Sequence, residues 1–131
     1  MRFSMLFAIV LAWPQEQPAR FRSFDIVVDP GAMQLGAYQF ELLCDAKIVG
    51  IEGGETKSFA EPPFYDAEAL SGGRIIIAGF TLDHDTPAGR VRVARVHVME
   101  TGATRYTPRL MAAASTGGSR IHATIELGGL R

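Results

Sequence analysis

A chain of 131 residues has room for one domain with one modest core. Its formal net charge of −1 excludes the basic surplus on which nucleic-acid or acidic-lipid binding rests, and fourteen glycines and seven prolines at close intervals argue against long helices. A single cysteine, Cys44, excludes an internal disulfide, so stability has to come from packing.

Arg2 is followed by a largely apolar run, Phe3 to Trp13, then by Pro14 and the polar stretch Gln15 to Ala19. That run is too short to cross a bilayer but suits the apolar core of a signal peptide over residues 1–19, with cleavage after residue 12 or after Ala19. A buried N-terminal strand or helix is the alternative. The leader reading places the mature chain in the periplasm or outside the cell, and no later segment is apolar enough to give it a transmembrane span. Residues 13–22 read as a linker and residues 20–131 as the folded domain.

From there apolar and polar residues alternate in short runs, the period expected of strands with one buried side. Phe24, Ile26 and Val28 face one way, and Pro30-Gly31 ends the run. Tyr38, Phe40, Leu42 and Cys44 alternate with Gln39 and Glu41, which makes Cys44 a small buried hydrophobe rather than a reactive thiol. A third run spans Ile48 to Glu52 and stops at Gly53-Gly54. Residues 61–73 lack strand character, with a helical turn expected at Asp66 to Leu70. Arg74 to Leu82 sets Ile76, Ala78, Phe80 and Leu82 on the inward face and Ile75 and Ile77 opposite. In Arg90 to Met99 the inward set is Ala94, Val96 and Val98, with Val93, Arg95, His97 and Met99 outward. Tyr106 to Ala113 is a weaker strand that Pro108 confines to an edge or a bulge, because proline has no amide to donate. Ile121, Ala123, Ile125 and Leu127 form the last inward set. Seven or eight strands in a domain of this size predict an all-β fold, a two-sheet antiparallel β-sandwich.

Charge is unevenly spread: residues 23–85 hold eleven acids and three bases, residues 86–131 two acids and seven bases. Folding either interleaves the two halves or leaves a basic face.

Four candidate sites emerge. Ile75, Ile77, Val93, Arg95 and Met99 on the outward side predict an apolar sheet surface for a protein partner, with Arg92, Arg95 and Arg109 at its rim. Phe64, Tyr65 and Tyr106 are candidates for stacking on sugar rings, although Phe64-Tyr65 equally suits a cap on the core. Asp83, His84 and Asp85, with Asp66 or Glu68 as further oxygen donors, are weak candidates for calcium, and a solvated turn is the better reading of that loop. His97 and His122, with Glu126, lack a neighbouring nucleophile and read as surface histidines. No catalytic residue is assigned, no cofactor is expected, and the lysine of Gly53 to Lys57 lacks phosphate-loop spacing.

The order of Leu35 to Leu42, Cys44-Asp45-Ala46, Ile48 to Gly54, Gly73 to Phe80 and Gly89 to Val98 resembles the cohesin family, in particular small cohesin-like domains of bacterial exported proteins. The resemblance runs from Ser23 to Leu127, with Cys44 and Ala46 standing where the family's corner has Tyr and Pro. It implies a flattened, nine-stranded sandwich with jelly-roll connections that binds a dockerin-like module through one sheet face. The expected function is a non-catalytic binding domain of an exported protein that recognises an extracytoplasmic protein module. Polysaccharide binding is the alternative.

Overall fold

A computed structural model describes residues 18–131. Most of the expected leader, including Trp13 and both the residue-12 cleavage point and the apolar run, lies outside the described residues. The first strand, β1, spans Arg20–Asp29, so residues 20–22 belong to the sheet and not to a linker. It is followed by β2 (Leu35–Cys44), β3 (Lys47–Gly53), β4 (Phe64–Tyr65), β5 (Arg74–Phe80), β6 (Val91–Glu100), β7 (Tyr106–Ser115) and β8 (Thr124–Gly128). Two short 3-10 turns, Lys57–Phe59 and Ala67–Ser71, interrupt the long connection on either side of β4. The second is the helical turn expected near Asp66, whose carboxylate caps it by accepting from the Glu68 amide.

The strands form two four-stranded antiparallel sheets, ordered β3-β6-β1-β8 and β4-β5-β2-β7, and the sheets pack as a sandwich. Between them lies one core: Phe24, Ile26 and Val28 from β1, Tyr38, Phe40, Leu42 and Cys44 from β2, and the buried residues of β3, β5 and β6. Burying one side of each strand gives the period-two pattern its physical cause. β7 is an edge strand, one of the two positions to which Pro108 confines it.

β5 sits in the opposite phase from the one its apolar pattern predicts, and β6 keeps its expected inward set of Ala94, Val96 and Val98 but departs at Val93. In β5 the inward residues are Ile75 and Ile77, both in the core, whereas Ile76 and Ala78 are half-buried and Phe80 is exposed. Register decides this: Ile77 pairs with Phe40 and Ile75 with Leu42, and directly opposed residues in a ladder share a face. Leu82 lies beyond the strand and is exposed. In β6 both Val93 and Ala94 are fully buried, because Ile26 pairs with Ala94 while Val27 pairs with Arg92. Val93 is the extra residue of a β-bulge there, and the bulge shifts the inward phase by one.

The charge asymmetry is largely cancelled by strand order. β6 lies beside β1 and β3, where Arg95 Nε donates to Asp25 Oδ1 at 2.8 Å and His97 Nε2 meets Glu52 Oε2 at 2.9 Å. β7 lies beside β2, where Arg109 approaches Glu41.

Gly79 stands opposite Tyr38 in the β2–β5 ladder, and a Cβ at that position would lie 2.6 Å from the Tyr38 hydroxyl oxygen. Because Tyr38 is buried and stacks near Phe40 and Phe59, its ring has little room to yield. Gly79→Ala is therefore expected to cost about 1–3 kcal/mol in urea unfolding, with a smaller loss when Tyr38→Leu is combined with it. Equal loss in both backgrounds would rule out the contact as the cause.

Candidate binding face

The outer side of the β4-β5-β2-β7 sheet carries the most distinctive surface. Pairing places Phe64 beside Ala78, Ala78 beside Gln39, and Gln39 beside Ala112, so these four form one row across the sheet. The next row along the strands is Phe80, Ala37 and Ala114. In the other direction the row is Ile76, Glu41 and Arg109. A skipped residue, Met111, between the Ala112 and Leu110 pairings keeps Ala112 and Arg109 on this same face.

Phe64 and Phe80 are 66% and 58% exposed, with centroids 5.9 Å apart and planes only 7° from parallel. They form a raised wall beside a floor of Ala37, Ala78, Ala112 and Ala114, and Gly118 and Arg120 border the opposite side. The resulting open groove encloses about 410 Å³. Two bulky aromatics exposed side by side over small apolar residues are unusual on a solvated sheet, since single apolar residues are common at surfaces and contiguous ones are not.

One row beyond the groove on the same face Glu41 is nearly covered, with Arg74 Nε donating to Oε2 at 2.5 Å and Arg109 Nε 3.5 Å from Oε1. The Arg74 hydrogen bond is the main reason its carboxyl sits below the usual carboxylate range. Two guanidiniums on one carboxylate leave this end with a surplus positive charge. Arg120, at the other end beside Ala114, makes no ion pair among the described residues.

The surface expected at Ile75, Ile77, Val93, Arg95 and Met99 does not assemble. Ile75, Ile77 and Val93 are core residues, while Arg95 and Met99 lie half-buried on the outer side of the other sheet. Arg92 is on that sheet too, whereas Arg109 is on the Phe64 face.

Of the three aromatics expected to stack on sugars, Phe64 is exposed. Tyr65 pairs with Ile77, shares its inward side and packs against the core. Tyr106 is also turned in: its ring lies 4.6 Å from that of Phe24, and its hydroxyl donates to Glu100 Oε2 at 2.8 Å.

The Asp83 loop is tied down by the protein's own donors. Ser58 Oγ donates to Asp83 Oδ2 at 2.9 Å and the Asp85 amide to Oδ1 at 3.0 Å, which together hold that carboxyl below its ordinary value. Asp66 caps its helical turn. No group of three metal-ligating side chains converges among the described residues, and the calcium candidates do not come together. His97 meets Glu52 rather than Glu126, which pairs with Arg90. His84 and His122 are exposed. Cys44 is buried, its thiol donates to the Ala46 carbonyl at 3.3 Å, and burial pushes its pKa up.

Sequence reasoning missed Phe80, Ala78, Gln39, Ala112 and Arg120. The strand itself carried no signal for them, because Ile76 has the same β-branched bulk as Ile75 and Ile77 on either side.

Comparison with family models, with curated proteins and with solved structures finds no match for this chain. The fold and the face together define a two-sheet antiparallel β-sandwich carrying an apolar groove bordered by Arg120 on an outer sheet surface. No helix among the described residues is long and apolar enough to cross a membrane.

Proposed function

We propose that the chain is a non-catalytic binding domain of an exported protein, and that it recognises a protein module through the outer face of the β4-β5-β2-β7 sheet. The exposed Phe64–Phe80 pair above the alanine floor carries this reading. A rigid sheet presents that surface preformed, so little ordering entropy opposes association. Aromatic residues at the centre and arginines at the border are the side chains that contribute most where proteins meet. The cohesin likeness, with jelly-roll connections and a dockerin-like partner, belongs to the same proposal and is compatible with a sandwich of eight strands.

Polysaccharide binding remains the second reading because parallel, solvent-facing rings also stack on sugars. It is the weaker of the two: the groove floor is alanine, Tyr38 in its lining is buried, and Gln39 is the exposed side chain of that lining able to both donate and accept hydrogen bonds.

Placing a photo-crosslinking amino acid at Gln39, and at Val27 on the opposite sheet as control, tests the proposal in the living source organism. A discrete protein adduct from position 39, lost on Ala112→Arg, is the expected result. Saccharide adducts alone, or equal adducts from both positions, would overturn it.

A further inference from the structure

The groove has Arg120 in its lining and Arg109 one row beyond its other end on the same face, with an apolar centre between them, and their spacing is that of an extended chain. Along β2 the row beside Arg120 is that of Ala37, the central row is that of Gln39, and the row of Arg109 is that of Glu41. Four strand residues separate the two ends, about 13 Å at roughly 3.3 Å per residue. Side chains two apart on an extended segment share a side, so residues i, i+2 and i+4 of a peptide lying along these strands reach the three rows together. Along the three rows of strand residues the charged side chains are Arg74, Arg109 and Arg120 against Glu41, while Glu61, Asp83 and Lys57 line the adjoining hollow against Phe64 and Phe80. Small floor residues let a second backbone approach closely, and Phe64 and Phe80 give one side chain an apolar wall.

We propose that the groove takes an extended acidic segment of the partner, with one apolar side chain seated on the alanine floor against Phe64 and a carboxylate two residues away on either side meeting Arg120 and Arg109. This rests on the reading that the partner is a protein. The attraction is between exposed groups, so it weakens as salt rises, while the apolar contact does not.

Three synthetic fluorescent peptides of equal length test it against the full processed chain. The first places carboxylates at i and i+4 around a leucine at i+2, the second has the corresponding amides, and the third moves one carboxylate by a single residue. The first should bind about tenfold more tightly than either other. Arg120→Glu should remove that preference, and Ala112→Arg should remove binding altogether. Equal affinity for the amide peptide overturns the acidic assignment while leaving a peptide groove. Absence of binding by all three, alongside a protein adduct from position 39, shows that the partner docks as a folded surface and overturns the segment. Failure of the crosslink itself removes the protein reading on which the segment rests.

Discussion

Ile77→Lys is expected to abolish cooperative folding, whereas Ile76→Lys next to it should leave a folded domain. Ile77 is 0% exposed and lies between the sheets opposite Phe40. Replacing it forfeits about 1.5–3 kcal/mol of apolar burial and adds several kcal/mol for an unpaired charge in the interior. Against a total stability of about 5–15 kcal/mol for a domain of ordinary size, that sum removes most or all of the native population. Ile76 instead lies on the outer face beside Glu41, where an ammonium group meets water and a carboxylate, and its substitution should cost about 1 kcal/mol or less. Urea unfolding followed by circular dichroism checks both. A stable Ile77→Lys together with an unfolded Ile76→Lys would invert the phase of β5 and with it the binding face.

Tyr106→Phe is expected to destabilise the domain by about 1.5–3 kcal/mol at neutral pH, with the loss shrinking in acid. Glu100 is only 3% exposed at the end of β6, where it accepts hydrogen bonds from the Tyr106 hydroxyl at 2.8 Å, Arg20 at 3.2 Å and Arg22 at 3.3 Å. Burial by itself would raise its carboxyl, but these three donors together outweigh that and hold it below the ordinary value near 4.5. Burial and the neighbouring carboxylate push the Tyr106 phenol up, so it stays a donor throughout the acid and neutral range. A carboxyl depressed on folding contributes stability that is complete above its unfolded value near 4.5 and is lost as pH falls through the folded one. The hydroxyl's partner is therefore an anion at neutral pH and a neutral acid in strong acid. Tyr106→Phe keeps the ring on Phe24 and removes only the donor, which isolates the hydrogen bond from the packing. Unfolding free energies for both proteins at neutral pH and below the carboxylate range make the comparison. A difference independent of pH would show that the loss is one of packing.

Where a strand had one oily side, its sequence told which side was buried. Phe24, Ile26 and Val28, and likewise Tyr38, Phe40, Leu42 and Cys44, lie inside as their spacing requires, because every second side chain of an extended chain shares a face. The all-β class, the sandwich, the edge position of Pro108 and the helical turn near Asp66 were legible for similarly local reasons. β5 was not: it is apolar on both sides, and nothing within Arg74 to Phe80 distinguishes a core face from an exposed one. Its partner β2 decides, through the pairing of Phe40 with Ile77, and that pairing joins residues far apart in the chain.

The same holds for the candidate site. Local alternation determined which residues share a side of their own strand, since that follows from backbone geometry alone. Which strands lie next to one another, where Val93 bulges, and hence that Phe64, Phe80, Ala112 and Arg120 border one groove, followed only from tertiary structure. Sheet order and register are set by how well two layers fill the space between them, and that depends on every strand at once.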